Sequence, residues 1–444
     1  MSEPIRILQV LGRLDRGGAE TMIMNLYRHM DREQLQFDFV IHTEDVCDYT
    51  EEVETLGGRI YSMKPFCVST ALGYRKQWYR FFREHPEYRV IHGHMRSTAS
   101  LYLAEAKRAG LVTIVHSHNT SSGSGASAVV KNVLQYPLRY QADYLFACGR
   151  RAGEWLYGKK ACDGPRFRLL LNGIETDCFR FREELREEKR HELGIGADEL
   201  VFLHIGRMEE QKNHRFLLEI MREIARMSGK NVSQDGLENG THGDWKAVRL
   251  LLCGCGPLEE ELREQAETGG LLEEDRRCDA AGESLPGEQP VSVRFLGVRD
   301  DIPALMMAGD AMIFPSLFEG LPVTIVEAQA AGLPVLMSDT VTDEVILTDL
   351  VQTMSLREDA HSWARRALEM ASQASRAAEQ EVKFGGQTPR AAAQAAEMAE
   401  QSPDRSSYAQ QIRSAGYDVE QSARWLTEFY LSCQRRQDSC GDKT

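Results

Sequence analysis

The chain has 444 residues, 42% of them hydrophobic, which is enough for two ordinary domains, since single cores seldom exceed roughly 250–300 residues. A formal net charge of −14 argues against nucleic acid as a partner. Ten cysteines without a CxxC pair fit reduced thiols rather than a disulfide framework or a zinc site, and no apolar run approaches the roughly 18 residues of a spanning helix.

The charge is unevenly spread. Residues 1–180 carry 24 Lys+Arg and 20 Asp+Glu, which leaves 29 basic and 47 acidic residues of the totals 53 and 67 for the remainder. Met1-Ser-Glu-Pro-Ile-Arg enters a strand pattern directly, without a signal-peptide core, so the expected location is the cytoplasm.

In chain order, apolar runs at Ile5 to Leu11, Phe37 to Ile41, Val90 to His92, Thr113 to Val115, Tyr144 to Cys148 and Phe167 to Leu171 alternate with helical stretches. The rhythm restarts at Val201 to Ile205, Arg249 to Cys253, Val293 to Leu296, Ala311 to Phe314 and Pro334 to Met337. Such alternation is that of βαβ units and predicts an α/β chain with two Rossmann-like parallel-sheet domains, 1–180 and 181–370. The boundary falls near Asp177 to Arg190, with a charge-rich helix from Arg182 to Glu192 starting the second domain. Ser228 to Lys246 and Cys278 to Pro290 lack periodicity and read as loops, and the Ala/Gln-rich tract 371–407 as a mobile helix or disorder. Residues 408–444 hold a C-terminal amphipathic helix, spaced through Val419, Ala423, Leu426, Phe429 and Tyr430, and a tail.

Five places carry candidate chemistry. Gly17-Gly18 lies between the first strand and a helix, where backbone can approach a ligand closely, though a tight turn explains the pair equally well. His116 and His118 end the Thr113 strand; either could face a ligand or be a satisfied core histidine. Gly206-Arg207 closes a strand and Lys212 follows, so both cations are expected at one site, where charge-assisted bonds to a diphosphate are worth about 1.5–3 kcal/mol each. Gly254 and Gly256 flank Cys255 in a turn against which a planar base could lie. Glu319 and Glu327 bracket Gly320-Leu321-Pro322, a helix entry whose N–H groups could cradle phosphate while the carboxylates accept bonds from sugar hydroxyls. A D-x-D carboxylate cradle for a divalent ion is missing from the sequence, so cations and helix dipoles are expected in place of a metal.

These elements together resemble glycosyltransferase family 4. The match is strongest from Phe295-Leu-Gly297-Val-Arg-Asp-Asp-Ile-Pro through Phe-Pro-Ser-Leu-Phe-Glu319-Gly-Leu-Pro-Val-Thr-Ile-Val-Glu327, with support from Gly17-Gly18-Ala-Glu20, His116-Ser-His-Asn-Thr and Asn172-Gly-Ile. The resemblance implies a GT-B fold, two Rossmann-like domains facing a central cleft, and sugar transfer from a nucleotide diphosphate with retention, as in bacterial exopolysaccharide and capsule transferases. It implies that Glu319 binds donor-sugar hydroxyls, Glu327 ribose, and Arg207 with Lys212 the diphosphate. Gly17 and Gly18 would approach donor phosphate and acceptor, and His118, with His116 open as the alternative, would hold the transferring sugar. Asn172, Gly206, Gly254, Gly256, Gly297, Gly320, Leu321 and Pro322 complete the implied substrate-binding set, with no cofactor and no metal.

The implied partners are a nucleotide-diphosphate sugar, with a UDP-sugar as the first expectation, and a glycan or lipid-linked acceptor. The helix Tyr74-Arg-Lys-Gln-Trp-Tyr-Arg-Phe-Phe-Arg83 interleaves aromatics with four cations, so it could rest peripherally on the anionic inner face of the cytoplasmic membrane or dock on its own sheet. A nucleotide-sugar epimerase or phosphorylase of the same architecture, or a non-catalytic sugar-nucleotide-binding module, are the alternative readings; the phosphorylase lacks a visible pyridoxal lysine context. Base, sugar, acceptor and linkage are not legible in the chain.

Overall fold

The computed structural model describes residues 3–119, 125–229, 245–273, 290–384 and 404–441. The chain forms two compact units, Met1–Glu175 with Gly416–Thr444, and Thr176–Ala415.

The first unit is built on seven strands, β1 (Ile5–Val10), β2 (Leu35–Ile41), β3 (Ile60–Ser62), β4 (Val90–Gly93), β5 (Val112–Ser117), β6 (Tyr144–Ala147) and β7 (Phe167–Leu169). All are parallel, in the order β3-β2-β1-β4-β5-β6-β7. β2 is buried along its whole length although Gln36 and Asp38 alternate with Leu35, Phe37 and Phe39, and Asp38 is satisfied there by Arg6 and Tyr88, each at 2.6 Å. The strand order reverses at β1, which pairs with β2 through Ile7–Phe37 and with β4 through Ile7–Val90. In a doubly wound sheet, ligands bind outside the carboxyl ends of the strands at such a reversal.

The second unit repeats the plan with six parallel strands, β8 (Glu199–Ile205), β9 (Ala247–Cys253), β10 (Val291–Gly297), β11 (Ala311–Phe314), β12 (Val335–Ser338) and β13 (Val351–Met354). Their order is β10-β9-β8-β11-β12-β13, so this reversal falls between β8 and β11. Two parallel-sheet units are thus present as expected. The pattern missed β3 and β13, strands of three and four residues at sheet edges, where neither burial nor length leaves much signal.

On the Ala71–Glu84 helix four of the five aromatics face the fold, and the fifth, Tyr79, is 54% exposed. Tyr74, Trp78, Phe81 and Phe82 are buried, Trp78 stacking on Phe82 at 5.5 Å, while Arg75 pairs with Glu105 at 2.6 Å and Arg80 with Glu84 at 2.7 Å. Docking on the sheet accounts for those four rings, while Tyr79 stays on the surface with Arg83 5.8 Å from its ring centre.

The helix Val419–Gly441 belongs to the first unit, where Val419, Ala423, Leu426 and Tyr430 enter the same core as Phe37 and Ile7. Ile174 anchors its start, donating to Tyr417 O at 2.7 Å and accepting from Val419 N at 3.0 Å. The tract expected to begin at Ala371 opens inside a helix, Ala360–Phe384, and residues 385–403 lie outside the described residues, as do 230–244 and 274–289 of the two expected loops.

Candidate functional site

The second unit's reversal brings together two loops that are 107 residues apart. After β8 the chain passes Gly206 and Arg207 into a 3₁₀ turn, Glu210–Lys212, and Asn213 then adopts φ 57°, its amide donating to Pro315 O at 3.1 Å. That bond, with Leu317 N donating to Gln211 O at 2.8 Å, ties the β8 loop to the loop after β11. Lys212 Nζ then meets Glu319 Oε1 at 2.8 Å, and Gln211 Nε2 donates to Glu319 Oε2 at 3.0 Å. The pair is largely sheltered, the side chains being 17% and 8% exposed, and the Lys212 ammonium lies 4.8 Å from the centre of the Phe314 ring. An ion pair so placed holds a cation and an acceptor ready for a ligand that carries both phosphate and hydroxyl groups.

Beyond Glu319 the chain runs through Gly320 and Leu321 to Pro322, which caps the helix Val323–Ala330. Glu327 projects from that helix half-buried, without a side-chain partner among the described residues, and burial pushes its carboxyl up to about 7. A desolvated, unpartnered carboxyl in a site is suited to accept hydrogen bonds from ligand hydroxyls.

Arg207 is placed differently. Its side chain is 72% exposed and pairs with Glu209 at 2.9 Å, so the structure brings Lys212, but not Arg207, to the Glu319 loop. The glycines have local explanations. A Cβ on Gly254 (φ 130°) would stand 2.2 Å from Gly206 O, and one on Gly256 would stand 2.5 Å from Met208 O, so these residues let the β8 and β9 loops close on each other. Gly254 N also donates to Gly297 O at 2.8 Å, which holds the β10 end against them.

At the first unit's reversal, Gly17 caps the helix Gly18–His29, and a Cβ on Gly18 would meet nothing within 4 Å, so the backbone there is open to a visitor. Glu20 lies over Gly17, with burial raising its carboxyl above the usual range. His92 and His94 from the end of β4 join His116 and His118 from β5 in one stack, with 4.1 Å between the His116 and His118 ring centres and 5.3 Å between those of His92 and His116. His118 accepts or donates across 2.9 Å to His94, whose other nitrogen meets Gln9 Oε1 at 2.9 Å, and His92 Nδ1 meets Tyr430 Oη at 2.6 Å. His116 is fully buried with neither nitrogen bonded, whereas His118 is partly exposed. Burial holds all four rings neutral, His118 down to about 3. Ring nitrogens of His92, His94 and His116 lie within 4.8 Å of one another, the right ligand type for a transition-metal ion. Both nitrogens of His94 are already engaged, however, so an ion there would have to displace a bond. Asn172 is buried with its side-chain oxygen unpartnered, beside the point where Gly173 passes Val419 too closely for a Cβ. Thr120 of the histidine motif lies outside the described residues.

Sequence reasoning missed four participants. His92 and His94 sit at alternate positions of Val90-Ile-His-Gly-His94, a pattern visible beside His116-Ser-His118 had the two been compared. His204 and His214 form a second buried pair in the second unit, 4.6 Å between ring centres; His214 is pushed down to about 4 by burial and by the charge of Lys212. Two isolated histidines in apolar stretches give no sequence signal of that meeting.

Residues 16–178 match the sequence profile described as Glycosyltransferase Family 4, and residues 199–373 the one described as Glycosyl transferases group 1. The "Putative glycosyltransferase EpsF" of Bacillus subtilis strain 168 is 35% identical over 364 residues, 81% of this chain and 86% of its own. The UDP-Gal:alpha-D-GlcNAc-diphosphoundecaprenol alpha-1,3-galactosyltransferase of Escherichia coli is 25% identical over 257 residues, 57% of this chain and 58% of its own. Among solved structures, Anabaena HepE in complex with UDP and glucose superposes with a TM-score of 0.63 at 18% identity, covering 96% of this chain and all of its own, which shows the fold alone.

Proposed function

The chain belongs to glycosyltransferase family 4, and from that premise we propose that it is a retaining, metal-independent hexosyltransferase. The donor is a UDP-sugar and the acceptor a glycan or lipid-linked saccharide, in the assembly of a cell-surface polysaccharide such as an exopolysaccharide or capsule, on the cytoplasmic side of the membrane. The observation that carries the reading is the Lys212–Glu319 pair at the second unit's reversal, followed within one helix by the unpartnered Glu327. Lys212 supplies the charge that a departing diphosphate gains, Glu319 receives donor-sugar hydroxyls and Glu327 receives ribose. Arg207, free to swing from Glu209, would add a second cation once phosphate arrives.

Retention is proposed to proceed on one face of the sugar. The bond between the anomeric carbon and the diphosphate oxygen breaks, the acceptor oxygen bonds to the same face, and its proton passes to the leaving diphosphate. In that scheme the protein positions and neutralises rather than attacks. The first unit's reversal, with Gly17, Gly18 and His118, is proposed for the acceptor side. The UDP-galactose donor in the Escherichia coli relative's name and the UDP-bound Anabaena structures support UDP as the nucleotide.

The test is transfer from a panel of UDP-sugars in the presence of excess EDTA, with the anomeric configuration of the product read by NMR. Activity that survives chelation and yields a retained anomer is expected. Loss restored by magnesium or manganese, or an inverted product, overturns the mechanism, and failure of every sugar nucleotide to bind overturns the donor class.

A further inference from the structure

Gln9 is a polar side chain in the apolar strand β1. It stands opposite His92 of β4 and is 1% exposed, a setting that disfavours a carboxamide unless both of its ends are bonded. Both are. Gln9 Oε1 lies 2.9 Å from His94 Nε2, and Gln9 Nε2 donates to Tyr430 Oη at 3.3 Å.

That orientation of the amide fixes the direction of the bonds beyond it. A carboxamide oxygen only accepts, so the proton of His94 is on Nε2. Burial keeps His94 neutral, which leaves its Nδ1 bare. The 2.9 Å bond between His94 Nδ1 and His118 Nε2 therefore runs one way, with His118 donating. His118 is neutral for the same reason, so its Nδ1 is a bare acceptor. On the other branch Tyr430 accepts from Gln9, and its own hydrogen has His92 Nδ1 at 2.6 Å to receive it, which puts the proton of His92 on Nε2. One amide thereby sets the tautomers of three imidazoles. Turned over, it would reverse them all, and His118 would present an N–H instead of a lone pair.

His118 is the partly exposed member of the stack, and the bond to His94 is the one hydrogen bond its side chain makes among the described residues. Its Nδ1 is covered and unpartnered, so a lone pair goes unused there, and the ring, tethered at Nε2 alone, has to shift for a ligand to reach it. A saccharide hydroxyl can donate to that lone pair. The oxygens of a carboxylate or a diphosphate only accept, and meet it with repulsion. We infer that Gln9 is a positioning residue that holds His118 as a hydrogen-bond acceptor, so that the site takes a saccharide by a hydroxyl and turns anionic groups away. The inference deepens the acceptor-side role proposed for His118 and rests on it. The hydroxyl concerned is not the reacting one, whose proton goes to the diphosphate.

Long-range proton–nitrogen correlation spectra of protein carrying isotope-labelled histidine read which nitrogen of each ring is protonated, and the His118→Ala spectrum identifies the His118 signals by their absence. In wild type, His94 and His118 should both carry the proton on Nε2. Gln9→Met keeps much of the volume and removes the accepting oxygen. His118 should then shift toward the Nδ1–H form, and kcat/KM for transfer should fall by about tenfold, the worth of one neutral hydrogen bond, with UDP affinity unchanged. Tyr430→Phe leaves Gln9 in place without an acceptor for its Nε2, so the amide can turn over and His118 should show both tautomers; this variant decides the matter if the methionine variant does not fold. The inference is overturned if wild-type His118 carries its proton on Nδ1, if the variants melt lower but keep the wild-type tautomers, or if the tautomers change and transfer does not. Calorimetry with UDP keeps the two readings apart: tautomers as expected in a protein that binds no UDP remove the donor and keep Gln9 as the residue that sets His118.

Discussion

At the β8/β11 reversal of the second unit, a lysine and a glutamate from distant loops meet at 2.8 Å, whereas at the β1/β4 reversal of the first unit four imidazoles stack face to face. The same topology offers the same crevice in both, but one is furnished with formal charges and the other with neutral rings kept neutral by burial. Formal charge suits a ligand whose own charge grows during reaction. Neutral rings supply shape and hydrogen bonds without attracting or repelling anions, which suits a ligand recognised by its hydroxyls.

The largest effect should come from removing the cation. Lys212→Met is expected to lower kcat by about 10²–10³-fold, the range for losing one preorganised charge stabiliser. Arg207→Ala should cost less, because an exposed cation contributes less than a sheltered one. Glu319→Ala should reduce turnover and leave UDP affinity nearly intact, since UDP lacks the sugar it contacts. Steady-state kinetics with calorimetry on the three variants checks this, and an Arg207 effect exceeding that of Lys212 would reverse the assignment.

Within the imidazole stack, burial predicts a division. His116→Ala removes a fully enclosed ring and should cost roughly 1–3 kcal/mol of stability, read as a lowered melting temperature. His118→Ala should melt close to wild type and lose turnover instead. If His118→Ala proves the more destabilising of the two, the stack is a structural feature throughout.

A smaller effect attaches to Glu327. Its folded value of about 7 stands above the ordinary carboxyl value of 4.5, so between those values the folded state holds a proton that the unfolded chain has released. The stability linked to this proton is therefore full below pH 4.5 and lost as pH rises through 7. Glu327→Gln should melt higher than wild type at pH 8, by roughly 2–4 °C, and converge with it near pH 4.5. Ribose hydroxyls favour the charged carboxylate, so UDP binding at pH 7 should release protons in wild type and not in the variant. Calorimetry in two buffers of unlike ionisation enthalpy reads that release directly.

Much of this was legible in the residues. Parallel strands buried on both faces are rich in apolar residues, so the runs Leu200 to Leu203 in β8 and Leu250 to Cys253 in β9 announce themselves, and the Glu319 to Glu327 spacing around Pro322 marks a loop entering a helix. What was hidden is what depends on three-dimensional meeting. The residues alone show Lys212 and Glu319 as separate groups for a ligand, and their bond to one another follows from Asn213 and Leu317 fastening two loops that no local pattern connects. Likewise the sequence shows that the Tyr74 to Arg83 helix is amphipathic but not which side the sheet takes; Trp78, fully buried, answers that.

The return of the Val419–Gly441 helix to the first unit sets an order of assembly during translation. Tyr430 bonds both His92 and Gln9, and with Leu426 and Val419 it completes the core around Phe37, so a nascent chain carrying only residues 1–175 presents that core with one wall absent. The intervening residues, 176–415, can close their own sheet as soon as they clear the ribosome. Domains ordinarily fold in the order in which they are made. In this chain the unit begun first is finished last, and until residues 416–441 arrive it exposes an apolar groove that a chaperone, or a premature partner, would find.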